Sequence, residues 1–462
     1  MKKCVPRRDF LRSTTAAGIG FWVAGGVLVP PSRAANSTIQ FACIGVGGRG
    51  FLDSADCERK GNVAAICDVD ERKLARKARM PGFQQARQFV DFREMFDVIG
   101  SEIDAVTVST PDHTHAAVTA MAIRMGKHCF TQKPLARTVG ETRALTKLAA
   151  EHQVATQMGN QGTAKDSLRL AAAAVKSGVL GDVREVHVFT DRPNWRRPAP
   201  LPPKAAPVPS YLHWDAWLGP AAQRPYAKGQ YHPFLWRNWW DFGTGALGDM
   251  ACHTANMPFA ALDLRDPRSV VAETSGHDGQ VFPESSVIRF EFAASEVRGP
   301  VQLTWYDGRR LPPESLLDNP LLASCRELVE ALTWSPTSGT PVRTGALLIG
   351  ERGVLFGRGD YCDRLFFIGI DRPKELNYEK SPGHFDEWIN AIRFGQPAMA
   401  NFVDYAGPLT ETVLIGNLAV RVDGARIEWD AASMTARVEN TDSATPALQE
   451  FVQPAYREGY EL

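Results

Sequence analysis

Three sets of residues in this chain have the types and spacing to do chemistry. Gly45, Gly47 and Gly50, within Gly45-Val46-Gly47-Gly48-Arg49-Gly50, keep a G-x-G-x-x-G spacing after an apolar run over residues 39–44. Such a turn lets backbone approach a pyrophosphate, and the helix behind it aims its free N–H groups at the same place. Asp68 ends a second apolar run, 63–67, where a carboxylate can accept from a ribose hydroxyl. Lys133 follows a short run over 128–131 and precedes Pro134, which places its ammonium at a strand's carboxyl end. Asp249 and His253 are four apart and share a helix face. Histidine suits a base because its ordinary pKa is near neutrality. The chemistry implied is proton transfer beside a bound dinucleotide, with a cation at hand for developing negative charge. The plainer readings are a surface lysine beside a turn, and an aspartate at a helix start with a hydrogen-bonded core histidine.

The elements needed to position these residues are legible. Apolar strands at 39–44, 63–67, 105–109, 128–131 and 154–158 alternate with helical stretches at 71–79, 92–99, 116–125 and 138–152. A short extended piece is expected at 88–91. That alternation predicts an α/β domain with a doubly wound parallel sheet, its ligand site at the carboxyl ends of the strands. From about residue 183 the pattern changes. Strands at 183–190, 269–275, 286–292 and 301–306, with further ones at 347–356 and 364–368, predict an α+β domain with a mostly antiparallel sheet. Helices are expected at 383–394 and 407–422, and an irregular insert at 191–240. The domain reading is 1–34 signal segment, 35–160 dinucleotide-binding domain and 161–462 second domain, with C-terminal helices able to pack back on the first.

Residues 1–34 read as an export signal. Arg7-Arg8-Asp9-Phe10-Leu11 has the twin-arginine form, an apolar glycine-bearing stretch follows over 16–29, and Ser32-Arg33-Ala34 offers small residues for cleavage. An uncleaved N-terminal anchor is the alternative. Export in the folded state implies a periplasmic or otherwise exported protein, carried by the twin-arginine machinery with its cofactor already loaded. Lysine plus arginine, 52, balances aspartate plus glutamate, 52, so no nucleic-acid footprint is expected. Seven cysteines remain after Ala34, with no C-x-x-C pair. Cys325 and Cys362 are the one pairing left open.

The glycine fingerprint, the segment VTVSTPDHTHAAVTAMAIRMGKH, Gln132-Lys133-Pro134 and GALGDMACH at 245–253 resemble the glucose–fructose oxidoreductase/inositol dehydrogenase (Gfo/Idh/MocA) family. HWDAWLGP at 213–220 and WRNWWDFG at 236–243 resemble its exported, twin-arginine branch. The resemblance implies a Rossmann domain, and a second domain whose open-faced sheet forms the substrate site and often a dimer or tetramer contact. It implies oxidation of a sugar or glycoside hydroxyl carbon by tightly bound NAD, with NADP disfavoured by Asp68. His253 would take the proton, Lys133 would stabilise the oxyanion, and Asp249 would orient His253 or a substrate hydroxyl. Thr110, Pro111, His113 and His115 would lie by the cofactor with Gly45, Gly47, Gly48, Arg49, Gly50, Asp68, Gln132 and Lys133. The family tripeptide usually begins with Glu, so Gln132 is a departure that removes a negative charge. A metal at His113 and His115 is not expected, since no further ligands cluster with them.

Asn160 and Gln161, at another strand end, are candidates for the substrate side. Trp236, Arg237, Asn238, Trp239 and Trp240, with Tyr231, look like carbohydrate recognition, since flat rings stack on pyranose faces. The alternative for them is a loop's own small core. Two other functions stay open. One is NAD-dependent glycoside hydrolysis through transient oxidation, elimination and re-reduction. The other is a non-catalytic sugar-binding protein.

Overall fold

The computed structural model describes residues 37–198, 201–333, 344–441 and 445–462. The expected export signal at 1–34 lies outside the described residues. The first sheet runs β3-β2-β1-β4-β5-β6, with β1 Gln40–Ile44, β2 Asn62–Cys67, β3 Arg87–Phe89, β4 Ala105–Val108, β5 His128–Thr131 and β6 Thr156–Met158. Every pairing in it is parallel. β4 and β5 are buried at every position, so neither alternates between a core and a solvent face, and β4 reads Ala-Val-Thr-Val. The helices over Gly50–Lys60 and Val139–His152 are among those that clothe this sheet. Thr138 and Glu141 close a reciprocal capping box on the second.

The second sheet has nine strands in the order β13-β12-β11-β7-β10-β9-β8-β14-β15. These are β7 Val183–Phe189, β8 Ser269–Thr274, β9 Ser286–Phe292, β10 Val301–Tyr306, β11 Gly345–Gly350, β12 Val354–Arg358, β13 Arg364–Ile368, β14 Arg426–Asp430 and β15 Thr435–Val438. Only β7 and β10 pair in parallel. One face packs Ile288, Phe290, Leu303 and Trp305 into a core shared with the helices Gly245–Thr254 and Gly407–Arg421. The expectation of an open outer face needs correction. Leu322, Leu328 and Leu332, from the helices Pro320–Ala323 and Arg326–Leu332, pack on Phe189, Leu347 and Phe356 and cover half of it. The other half carries ion pairs, Arg289 with Glu273 and Arg426 with Glu291.

The C-terminal helices do reach the first sheet. Trp388, on the helix His384–Phe394, packs against Phe41 and Phe130 and donates to the Ala155 carbonyl at 3.2 Å. The helix over Asp112–Arg124 begins four residues earlier than its alanines suggest, so His113 and His115 are helical rather than in a loop. All seven described cysteines, Cys325 and Cys362 included, are free. Among the described residues no helix is long and apolar enough to cross a membrane.

Candidate active site

The carboxyl ends of β1, β2, β4 and β5 open into a cleft of about 600 Å³, closed on its far side by the second domain and the insert. The glycine turn forms one wall. Gly45 has φ +78°, and a Cβ on it would lie 2.6 Å from the Ser109 carbonyl. A Cβ on Gly50 would lie 1.8 Å from the Gly45 carbonyl, so the third glycine serves helix packing and stays off the cleft surface. Gly47, Gly48 and Arg49 line the cleft with Asp68. Asp68 accepts from the Val46 amide at 3.0 Å and the Asp70 amide at 2.9 Å, which ties the end of β2 to the turn. Thr110, whose Oγ1 is buried without a partner, Pro111, His115 and Gln132 continue the wall. A glycine cradle, a carboxylate at the end of β2 and an unpaired hydroxyl fit a dinucleotide.

Gln132 has a structural reason for its identity. Its Nε2 donates to Asp53 Oδ2 at 2.8 Å, and Asp53 also accepts from Ser109 Oγ and Arg49 Nε. Burial already pushes the Asp53 carboxyl upward. A glutamate at 132 would put a second carboxylate against it. His115 faces the carbonyls of Pro134 (2.8 Å) and Thr110 (2.9 Å), so it braces the turn that carries Lys133.

Lys133 reaches across to the helix Gly245–Thr254. Its Nζ donates to Asp249 Oδ1 at 2.9 Å and to the Asp249 backbone carbonyl. Arg237 Nε lies 3.3 Å from the same oxygen, and Arg192 Nη1 lies 3.7 Å from Oδ2. Burial raises the Asp249 carboxyl, but Lys133 and Arg237 outweigh it and hold the group well below the usual carboxylate range. One turn on, His253 is buried with its Nδ1 unpartnered, its ring edge-on to Tyr361 at 4.8 Å. Burial, helped by the Lys133 charge, pushes His253 well below its ordinary range, so the ring is neutral at neutral pH. Asp249 makes no hydrogen bond to His253: its Oδ1 accepts from Lys133 and Arg237, and its Oδ2 has Arg192 at 3.7 Å. Asp112 accepts from Thr244 Oγ1 at 2.7 Å, and burial pushes its carboxyl up to about 7.

Of the expected substrate residues, Gln161, Trp236 and Arg237 line the cleft. Asn160 is fully buried behind it, with both side-chain polar atoms unpartnered. Asn238, Trp239 and Trp240 do not reach it. Asn238 is spent on Trp195 Nε1 and on the carbonyls of Arg196 and Leu235. Trp239 packs on Tyr231 and donates to Gln230, while Trp240 stacks on Phe282. For Trp239 and Tyr231 the small-core reading holds, whereas Trp240 joins the main core. His113 is likewise corrected. Its ring lies against the Trp217 and Phe242 carbonyls, away from the cleft. Among the described residues no cluster of three metal-ligating side chains occurs.

Residues not anticipated from sequence also line the cleft: Lys73, Asp112, Arg192, His232, Asp360 and Tyr361. Arg192 follows the end of β7, which strand-end logic could have flagged. Asp360 and Tyr361 sit in a turn between β12 and β13 that carries no such signal. The insert closes the nucleotide end. Leu212 bridges Asp70, His213 Nε2 lies 2.7 Å from Glu71, and the Arg72 guanidinium sits 3.5 Å over the Tyr211 ring. His232 Nε2 donates to Asp70 Oδ2 at 2.9 Å.

Residues 39–160 match the family model described as the oxidoreductase family, NAD-binding Rossmann fold (Gfo/Idh/MocA), and residues 168–281 match that of its C-terminal alpha/beta domain. A levoglucosan dehydrogenase of Pseudarthrobacter phenanthrenivorans is 26% identical over 192 residues, 42% of this chain and 40% of that protein. A glycosyl hydrolase family 109 protein of Solibacter usitatus is 30% identical over 153 residues, 29% of this chain and 34% of that protein. The matches thus span about a third to two fifths of these relatives' length. The crystal structure of the WlbA dehydrogenase from Bordetella pertussis, in complex with NADH and UDP-GlcNAcA, shares the fold. Its TM-score is 0.58 at 17% identity, covering 85% of this chain and 99% of that one.

Proposed function

The chain belongs to the Gfo/Idh/MocA oxidoreductase family and carries its NAD-binding Rossmann domain, and from that premise we propose an exported enzyme that oxidises a hydroxyl carbon of a sugar or glycoside with tightly held NAD. The carrying observation is that Lys133, Asp249 and His253 meet in the same cleft as the glycine turn and Asp68. Bound nicotinamide supplies the hydride acceptor. Neutral His253 takes the hydroxyl proton. Lys133 donates to the oxygen as charge builds there, and Asp249 holds that ammonium in place. Asp68 selects against a 2′-phosphate, which favours NAD over NADP. The insert pinned to Asp70 and Glu71 supports retention of the nucleotide.

Export rests on the twin-arginine segment. Passage through that machinery and self-association through the charged half of the second sheet belong to the same reading. Fractionation of an exporting host and light scattering test these two points.

One observation favours net glycoside hydrolysis as the second reading. Tyr361 lies against His253, and its hydroxyl accepts from Gln161 at 3.2 Å. Transient oxidation acidifies the neighbouring C–H. His253, once it has passed on the hydroxyl proton, would take that proton, and the neutral Tyr361 hydroxyl, whose pKa burial raises, would protonate the departing glycosidic oxygen before water adds and the hydride returns. The test is to purify the mature protein, identify nucleotide released on denaturation, and follow 340 nm absorbance with glycosides. Stoichiometric NAD with a rising band supports oxidation. Hydrolysis without net reduction supports the second reading. A protein that binds no dinucleotide refutes both.

A further inference from the structure

The inner end of the cleft holds more positive charge than Asp249 needs. Lys133 and Arg237 already satisfy Asp249 Oδ1. Arg192 comes no nearer than 3.7 Å to Oδ2 and 3.9 Å to Asp191, so its guanidinium makes no hydrogen bond among the described residues. Its side chain is 29% exposed and lines the cleft, so its planar fork of donors is unspent. The Arg237 guanidinium is held over the rings of Trp236 and Phe234, at 4.2 and 4.3 Å. Its Nε contacts Asp249 and its Nη1 the Phe234 carbonyl, leaving Nη2 without a partner among the described residues. Burial raises the other carboxyls there, Asp112 and Asp360, against the opposing pull of Arg237 and Lys133 on the first and of Arg192 on the second. Two guanidinium groups with free donors, both beside Asp249 in the cleft that Lys133 and His253 line, form a receptor for a planar anion.

We propose that the substrate is an acidic sugar, a uronate-type glycoside whose carboxylate is bound by Arg192 and Arg237 while a ring hydroxyl lies at Lys133 and His253. This rests on the hydride-transfer reading and adds the substrate class to it. Arg192 and Arg237 act on binding; Lys133 and His253 act on the reaction.

The test uses the full chain with its nucleotide. Methyl glucuronide, galacturonide and mannuronide are each compared with the neutral glycoside, by 340 nm kinetics and by calorimetric binding. The expected result is a preference for one acid of about 10- to 100-fold, the worth of charge-assisted hydrogen bonds. It should lie in KM and weaken with salt. Arg192→Ala should raise KM for that acid about tenfold with a smaller effect on kcat, and Arg192→Lys should recover part of it. Nucleotide content and circular dichroism verify that both variants fold. Equal or better use of neutral glycosides overturns the inference and leaves hydride transfer standing. Binding of an acid that is lost in Arg192→Ala, with neither nucleotide reduction nor hydrolysis of any sugar, supports the anion receptor and refutes hydride transfer. Absence of binding by every acid overturns the inference.

Discussion

Asp70 and Asp249 are buried aspartates at the two ends of the site, and both are held well below the usual carboxylate range. Burial raises each, and neighbouring donors more than reverse it. The difference lies in what is left over. Around Asp70 the accounting closes. Oδ1 accepts from the Arg72 amide and Nε, and Oδ2 accepts from Arg72 Nη2 and from His232, which burial pushes down to about 4 and so keeps neutral. Around Asp249 it does not close, because Arg192 and part of Arg237 remain unspent. The same residue types thus make a clasp at one end and a reaction site at the other. Free donors facing a cleft distinguish the two, whereas a depressed pKa does not.

The contrast can be broken first at the open end. Lys133→Met should lower kcat/KM for sugar oxidation by about 10³-fold or more, since it removes the donor to the developing oxyanion. It should also lift a charge that depresses His253. The acid limb of the residual pH–rate profile should then move to higher pH; an unmoved limb would separate Lys133 from His253. At the closed end, Asp70→Asn should cost about 2 kcal/mol in urea unfolding and speed nucleotide loss on dialysis. Because the folded carboxyl is depressed, its contribution is present above the ordinary carboxylate pKa and lost as pH falls. The deficit of the variant should therefore shrink in acid. Gln132→Glu should cost about 1–2 kcal/mol by setting two carboxyls together. Adding Asp53→Asn should restore most of that, and a strictly additive double variant would refute the pairing.

A purely pH-dependent effect is expected at Asp112, which forms no ion pair among the described residues. Its folded pKa is raised to about 7, so the native state binds the extra proton and stability falls as pH rises from about 4 to about 7. Asp112→Asn should gain relative to the parent across that window and level off above it, by up to roughly 4 kcal/mol, the worth of moving a carboxyl from about 4 to about 7. A difference that is flat with pH would mean that burial does not govern this carboxyl.

Periodicity made the scaffold legible. β5 at His128–Thr131, β9 at Ser286–Phe292, β10 at Val301–Tyr306 and β13 at Arg364–Ile368 fall where their apolar patterns end. Those patterns record burial, which is local in sequence. The glycine turn, Lys133 and the Asp249–His253 pair were legible for a similar reason, since each is a short spacing with a geometric meaning. The tryptophans were not. Trp236 and Trp239 are three apart and chemically alike, yet one lines the cleft and the other packs on Tyr231. Which ring faces out depends on how the insert folds on itself, and no short spacing encodes that. Arg192 and Tyr361 reach the site from turns of the second sheet, so only its nine-strand topology brings them there. The cover over the outer sheet face was missed because residues 314–332 are short helices whose apolar stripe has no long period.

The clasp also has a place in time. His232 follows its partner Asp70 by 162 residues. A ribosome delivers the glycine turn, β2 and Asp70 well before the residues that roof them, and domains generally begin to fold in that order. The insert is therefore made after the strand ends it roofs, and the helix that carries Trp388 against Phe41 and Phe130 is made later still. On the proposed reading of a retained nucleotide, loading would be an event of biosynthesis, and the supply of dinucleotide around the ribosome would set the fraction of chains that leave it furnished.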